Sequence, residues 1–200
     1  MKEIVSIVLE EVLIKRESLV IAKYPVGLYQ ARQDLKEILE QNKLGNTKIV
    51  GIGGMSGSGK STVAKYVYNL CLPYFILNDR SCFLSDVGKK NVRSLQSELF
   101  HGVFGYNQAL QHMGNTEEGK RIIQSFRLLL VFDGFDHINQ INDLLDIDSV
   151  GRGSLIIITS TDRDLLRRTS PDTFLYNVIP LNREHARELF FYIIFFFLLI

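Results

Sequence analysis

The chain has 200 residues, of which 46% are hydrophobic, and its 23 basic and 22 acidic side chains leave a formal net charge of +1. This length and composition suit one globular domain with its own core, and the charge gives no reason to expect a nucleic acid or a membrane surface as partner. The only two cysteines, Cys71 and Cys82, lack C-x-x-C spacing, so they indicate neither a disulfide framework nor a zinc site and favour a reducing, cytoplasmic setting.

The first part of the chain is predicted to be helical and to precede the core. Apolar residues recur at helical spacing up to about Arg16, mixed with charges that no signal-peptide core contains. Pro25 and Gly27 then mark a linker, so residues 1–26 are interpreted as a helical connector. A second helix is predicted to follow and to end near Gly45, with these residues facing inward: Ala31, Leu35, Ile38 and Leu39.

Residues 54–61 form a complete G-x-x-x-x-G-K-[ST] phosphate-binding loop. Its glycines let successive backbone N–H groups point at a polyphosphate, which lies at the positive end of the following helix. Lys60 is predicted to reach the β and γ phosphates, and the Ser61 hydroxyl to bind Mg²⁺. A short buried strand over 48–52 and a helical pattern over 61–70 flank the loop as this motif requires. The candidate nucleotide contacts are Gly54, Gly57, Ser58, Gly59, Lys60, Ser61 and Thr62.

The segment after this helix carries weaker signals. A second strand is predicted in two pieces, 73–77 and 82–84, with a turn at 78–80 between them. The pattern then predicts a helix over 91–99, a loop over 102–119 and a helix over 120–126.

The run from Leu128 to Asp133 is apolar at every position and ends in an acid. Such a strand is buried on both faces, as in a parallel sheet covered by helices. Because ligands gather at the carboxyl ends of parallel strands, Asp133 is predicted to face the phosphate loop and to hold Mg²⁺ through water. Asp133 is also the candidate catalytic residue. The alternative is a buried strand followed by a turn-forming Asp.

The remaining pattern continues the alternation of strands and helices. It predicts a helix over 139–145, a strand over 154–160, a helix over 162–168, a strand over 173–178 and a helix over 182–190 that is capped by Asn182. The fold class is therefore α/β: a parallel-sheet P-loop NTPase core flanked by helices, with an N-terminal helical connector. The four histidines show no ligand spacing and are interpreted as surface positions: His101, His112, His137 and His185.

The end of the chain is unusual. From Phe190 to Ile200 all eleven residues are apolar or aromatic. A membrane-spanning helix needs about 20 such residues, and no basic anchors flank this run. Residues 191–200 are therefore interpreted as an aberrant apolar tail that folds poorly or packs opportunistically, without a membrane partner.

Taken together, these motifs resemble the NB-ARC region of plant disease-resistance proteins, within the STAND class of P-loop ATPase switches and its TIR-NB-LRR branch. Five stretches in the family's order carry the resemblance: 24–28, 54–62, 82–84 with 95–96, 129–136, and 153–162 with 165–166. A sixth lies at 181–190. The resemblance implies an NB-ARC domain over 27–190 that binds ADP or ATP with Mg²⁺ in an immune receptor. It adds Val26 to the nucleotide contacts and full-length NB-LRR proteins to the partners.

Two residues depart from the family pattern. In the family, the residues at both positions act on the γ phosphate. The second aspartate after the apolar strand is Gly134 here, and the arginine of the Thr-Thr-Arg sensor is Thr161. Asp136 and Arg163 lie close by in the sequence but at shifted positions. Because a general base and a phosphate-binding arginine each lower the barrier to transfer, nucleotide binding is expected to survive better than hydrolysis.

Three functional interpretations remain open at this stage. The first is a nucleotide-binding core with little or no ATP hydrolysis, and the second is an enzyme, either a slow ATPase switch or a P-loop kinase. The third is a nucleotide-independent interaction fragment or decoy, because the family's TIR domain, later NB-ARC motifs and leucine-rich repeats have no counterpart in this sequence and a truncated product is expected.

Overall fold

Strands and helices alternate along the part of the chain that the computed structural model describes, residues 18–41, 47–75, 80–104, 121, 125–145, 147 and 150–198. Within it, the five strands are β1 (Lys48–Gly53), β2 (Arg80–Leu84), β3 (Leu128–Phe132), β4 (Leu155–Ser160) and β5 (Phe174–Asn177). The α-helices are α1 (Leu28–Gln41), α2 (Lys60–Cys71), α3 (Val92–Phe104), α4 (Ile138–Asn142), α5 (Arg163–Thr169) and α6 (Arg183–Leu198).

All five strands form one parallel sheet in the order β2-β3-β4-β1-β5, which confirms the predicted α/β fold class. The register places Gly53 at the end of β1 beside Ser160 of β4 on one side and Asn177 of β5 on the other. Phe132, the last residue of β3, pairs with Ile158. The carboxyl ends of these strands therefore meet at one edge, where a parallel α/β sheet binds ligands.

Two hydrophobic clusters cover the two faces of the sheet. Alternate strand residues such as Leu129 and Val131 pack with α1 and α2 on one face, and their neighbours Leu128 and Leu130 pack with α3 and α5 on the other. β3 and β4 are buried at every position for this reason. Cys71 and Cys82 belong to these clusters as free thiols, and burial raises the pKa of each to about 12, so neither is reactive.

Several element boundaries differ from the predicted ones. Residues Leu72–Tyr74 form a 3-10 turn with Pro73 in its first turn, so the strand predicted over 73–77 is wrong there, and β2 begins instead at Arg80. The prediction of a loop from 102 is also wrong at its start. α3 continues to Phe104 because its inward face stays apolar, and Gly102 lets the helix approach Cys82 of β2 closely.

The apolar end of the chain is helical as far as the structure describes it. α6 runs from Arg183 to Leu198, eight residues beyond the predicted end at 190. The predicted helix end at 190 is therefore wrong, since the apolar residues over 191–198 continue a helix whose first turns are fixed by an Asn182 cap. The interpretation of 191–200 as an aberrant tail that folds poorly or packs opportunistically stays a prediction. No helix of the described residues is both long and apolar enough to cross a bilayer.

Other predictions fall outside the described residues. These are the helix before Arg16, most of the stretch over 105–126, and the inward-facing side chains of Ile38 and Leu39. Where α1 is described, Ala31 and Leu35 are buried as the helical spacing predicts.

Candidate functional site

The phosphate loop lies between Gly53, the last residue of β1, and Lys60, the first residue of α2. Gly59 precedes the helix with a φ of 96°, in the left-handed region that glycine favours. A Cβ on Gly54 would lie 2.7 Å from Ser58 Oγ and 3.1 Å from the Val178 carbonyl oxygen, so only glycine fits this close approach without a shift. The predicted motif thus forms a compact turn against the chain that follows β5.

Lys60 is held inside this loop. Its Nζ donates hydrogen bonds to the carbonyl oxygens of Gly54 at 2.9 Å and Met55 at 2.8 Å. Partial burial lowers the pKa of Lys60, and the nearby Asp133 carboxylate partly opposes that shift. A phosphate would supply a stronger acceptor for the same ammonium group.

Ser58 gives a second indication of a polar ligand. Its Oγ is buried and has no hydrogen-bond partner among the described residues. A buried polar atom without a partner costs free energy in the isolated protein, and a bound group that hydrogen-bonds to it removes that cost.

Asp133 joins the phosphate-loop helix to the sheet. It follows β3, is 8% exposed, and its Oδ1 accepts hydrogen bonds from Ser61 Oγ at 2.9 Å and Thr159 Oγ1 at 2.7 Å. The two predicted metal ligands therefore lie side by side, although β4 separates β3 from β1 in the sheet. Hydroxyl and carboxylate oxygens are ligands that Mg²⁺ accepts, usually with phosphates and waters completing its coordination.

Thr159 was not singled out by the sequence as a site residue. Its hydroxyl donates to Asp133 and also accepts from the Gly134 backbone N–H at 2.8 Å, while its carbonyl accepts from the Phe135 N–H at 2.8 Å. The signal in the sequence is a buried strand that ends in hydroxyl residues. Thr159 fixes both the Asp133 carboxylate and the turn after it.

The two residues that the sequence offers as substitutes lie in different places. The Asp136 carboxylate lies against Gly88 in the turn after β2, where a Cβ on Gly88 would come within 2.6 Å of Asp136 Cγ. The Arg163 stem lies beside the end of β1, its Cγ 3.3 Å from the position of a Cβ on Gly53. Thr161 is exposed between β4 and α5.

A cavity of about 900 Å³ opens next to the phosphate loop. Its walls come from the segment before α1, α1, the phosphate loop, the chain after β5, and α6. The predicted nucleotide contacts on its walls are Val26, Gly57, Ser58, Gly59 and Thr62. This arrangement places an apolar space beside a phosphate-binding turn, which matches the two parts of a nucleotide.

The cavity also contains polar residues that the sequence did not indicate. His185 lines the cavity and is half-buried, so its interpretation as a surface position is wrong. Asp34 and Tyr176 line it as well, and burial followed by the Asp34 charge raises the pKa of the Tyr176 hydroxyl. No sequence pattern connects these residues, because they come from α1, β5 and α6.

α6 covers one side of this cavity with residues from the apolar end of the chain. Leu189 and Ile193 line the wall, and Tyr192 stacks on Tyr24 with ring centroids 5.3 Å apart and planes 4° apart. The stretch beyond residue 190 is thus part of the candidate site.

Comparison with known proteins gives one family. Residues 30–196 match the family model described as NB-ARC domain. Curated relatives include TMV resistance protein N of Nicotiana glutinosa, 31% identical over 180 residues, and Disease resistance protein RRS1 of Arabidopsis thaliana, 32% identical over 167 residues. Both matches cover 82% of this chain but only 15% and 12% of the respective relative, so the chain spans a small part of their length.

Solved structures share the fold. Cdc6p from Pyrobaculum aerophilum has a TM-score of 0.57 at 12% identity, over 86% of this chain and 50% of that one. Drosophila ORC, solved bound to DNA, has a TM-score of 0.53 at 14% identity, over 84% of this chain and 46% of that one. At such low identities the likeness establishes the arrangement of strands and helices alone.

The Thr159 hydroxyl provides the first test. We expect Thr159→Val to lower the free energy of unfolding by about 1–3 kcal/mol, because the buried Asp133 carboxylate loses a hydrogen-bond donor and the Gly134 N–H loses its acceptor, while the side-chain shape is kept. Urea denaturation measures this. Thr159→Ser is the control, since it keeps the hydroxyl and loses only a methyl group, and it should be the less destabilised variant. Equal stability of the Val variant and the unmodified chain would contradict the structural role of this hydroxyl.

Proposed function

The chain belongs to the NB-ARC family, and we propose that it binds ADP and ATP, with Mg²⁺, as the nucleotide-binding module of a plant disease-resistance receptor. The observation that carries this proposal is the shared wall between the phosphate loop and the cavity of about 900 Å³. Phosphates in the loop and a base in the cavity would occupy both features together.

The described residues suggest how each part of the nucleotide is held. Backbone N–H groups of the loop would bind the α and β phosphates, and Lys60 would exchange its present carbonyl partners for phosphate oxygens. Ser61 and Asp133 would hold Mg²⁺, which neutralises charge on the β and γ phosphates when it is bound. Val26 and Val178 offer apolar surface for the base in the cavity.

We propose further that ATP hydrolysis is slow or absent. Gly134 provides no carboxylate after Asp133, and Thr161 provides no guanidinium after β4. Asp136 lies beside Gly88 in the turn after β2. Lys60, Ser61 and Asp133, which would bind groups common to ADP and ATP, are present. The two residues that act on the terminal phosphate in the family are replaced.

The biological setting is proposed from the relatives. Their names describe plant disease-resistance proteins, of which this chain spans 12–15%. We propose the same setting for this chain, a cytoplasmic one, with full-length NB-LRR proteins of the TIR-containing branch as partners.

A titration with fluorescent ADP and ATP, with and without Mg²⁺, tests nucleotide binding. We expect Lys60→Ala to weaken binding of both nucleotides by roughly 10- to 100-fold, because a charge-assisted hydrogen bond to phosphate is lost. Lys65→Ala removes the same charge from the same helix and should leave binding unchanged. A folded sample without saturable binding, or one in which Lys60→Ala binds normally, would rule out this function.

The stack on α6 predicts an effect on nucleotide release. We expect Tyr192→Ala to speed ADP dissociation by about 2- to 10-fold, since an aromatic pair contributes about 0.5–1.5 kcal/mol and this one joins two walls of the cavity. Stopped-flow displacement measures the rate. Tyr192→Phe keeps the ring, and Phe195→Ala removes an exposed ring from the same helix, so both should release ADP at the original rate. If ADP dissociated at the same rate from the unmodified chain and from all three variants, α6 would not retain nucleotide.

Restoring the replaced groups tests the proposed lack of hydrolysis. We expect the double variant Gly134→Asp, Thr161→Arg to hydrolyse ATP at least about 10-fold faster than the unmodified chain, because a carboxylate and a guanidinium then act on the terminal phosphate. Phosphate release measures turnover. Gly134→Asn with Thr161→Arg is the matched control, because Asn tolerates the φ of 77° at this position as Asp does but carries no charge. High turnover in the unmodified chain would contradict the proposal directly.

A further inference from the structure

Three polar side chains of the cavity come from α1 and β5 and have no part in the phosphate loop. They are Gln30, Asp34 and Tyr176. Val178 also lines the cavity, and it lies at the loop itself, because its carbonyl oxygen is 3.1 Å from where a Cβ on Gly54 would be. The cavity therefore extends from the phosphate loop to a carboxylate and a phenol hydroxyl.

The edge strand sets the order of these groups. Val178 directly follows β5 and continues its pairing with β1, since its N–H donates to the Gly53 carbonyl oxygen at 2.8 Å. Tyr176 and Val178 are two residues apart, so they lie on the same face of the sheet, about 7 Å from each other along the strand. Both pack in the cluster that contains Ala31 and Leu35 of α1. Tyr176 is thus one step farther from the loop than Val178, on the same wall of the cavity.

Gln30 orients the Asp34 carboxylate. Its Nε2 donates a hydrogen bond to Asp34 Oδ1 at 2.7 Å, across one turn of α1. Among the described residues no hydrogen bond reaches the second oxygen, Oδ2, so this oxygen can accept a hydrogen bond from a ligand. An ionised carboxylate accepts hydrogen bonds and donates none.

Tyr176 provides a donor beside this acceptor. Its side chain is half-buried, and its hydroxyl has no hydrogen-bond partner in the part of the chain that the structure describes. Burial, followed by the charge of Asp34, raises the pKa of the hydroxyl, so it keeps its proton at neutral pH and can donate. The effect of the Asp34 charge also indicates that the two groups are close to each other.

On the basis of the proposed function, we infer that Asp34 and Tyr176 contact the base of the bound nucleotide and select a 6-aminopurine over a 6-oxopurine. With the phosphates in the loop, the base is the part of the nucleotide that extends farthest from it, toward these two residues. The exocyclic amino group of adenine donates to Asp34, and the neighbouring ring nitrogen accepts from Tyr176. A 6-oxopurine has a carbonyl oxygen in place of the amino group, so two acceptors would face each other at Asp34.

The ribose hydroxyls are the other donors that a carboxylate of this site could bind. The ribose lies between the base and the phosphates, and it is identical in adenine and hypoxanthine nucleotides. A contact between Asp34 and the ribose would therefore change the affinity for both nucleotides equally. A contact with the base changes their ratio.

The test compares ADP with inosine diphosphate, whose base carries the 6-oxo group. Dissociation constants are measured with Mg²⁺, and we expect the unmodified chain to bind ADP about tenfold more tightly. Asp34→Asn should bring the two constants within about twofold of each other, because an amide can accept from an amino group or donate to a carbonyl oxygen. Tyr176→Phe keeps the ring and should also lower the ratio, since the ring nitrogen of adenine loses its donor.

An acid outside the cavity supplies the matched control. Asp172→Asn removes the same charge from an exposed residue in the turn before β5 and should leave the ratio at its original value. Urea denaturation shows whether each variant is folded. The ratio for the unmodified chain needs no variant, so the inference can fail even if a substitution unfolds the protein.

The outcomes separate this inference from the proposed function. If the unmodified chain binds both nucleotides equally, and Lys60→Ala weakens both, selection by the base is overturned and the nucleotide site stands. A folded Asp34→Asn variant with the original ratio overturns the role of Asp34, whether its two affinities are unchanged or equally weakened. The original ratio in Tyr176→Phe overturns the role of Tyr176. A folded, unmodified chain that binds neither nucleotide overturns both proposals together.

Discussion

One carboxylate oxygen connects the three parts of the candidate site. Asp133 Oδ1 accepts from Ser61 at the start of α2 and from Thr159 at the end of β4, while Asp133 itself follows β3. β4 lies between β3 and β1, so the Ser61 bond joins the acid to the phosphate loop across that strand, and the Thr159 bond ties the acid to β4 itself. Because Asp133 is buried, these hydrogen bonds contribute more to stability than they would at the surface, since a buried charge without partners is strongly unfavourable.

The position of this network follows from the hydrophobicity of the strands. β3 and β4 are apolar on both faces, so both faces need helices to cover them, and the connections between parallel strands supply those helices. Every strand then ends at the same edge of the sheet. Polar residues that follow an apolar strand are carried to that edge together, which is why Asp133 and the phosphate loop meet although 72 positions separate Asp133 from Ser61.

The parts of the molecule that the sequence predicted are those encoded by local patterns. The loop, β3 and β4 each carry their signal within a few consecutive residues, and the parallel sheet follows from their alternation with helices. The parts that it did not predict depend on contacts between distant segments. Tyr192 stacks on Tyr24, and His185 lines the cavity, only because α6 folds back toward the segment before α1. An apolar run of this kind has the same composition whether it lies against a ligand site or remains unfolded. Only tertiary contacts distinguish the two.

The residues of the candidate site fall into two sets. One set would bind groups that ADP and ATP share, and the other stands where the family acts on the terminal phosphate. Under the proposed function, Lys60, Ser61 and Asp133 would act on groups that ADP and ATP share, and hydrogen bonds hold all three in place. Gly134 and Thr161 stand where the family has groups for the terminal phosphate, and neither side chain is charged. A protein that lost only the second set keeps the free energy of binding, because that free energy comes mainly from the loop and the metal, but it loses the interactions made in the transition state.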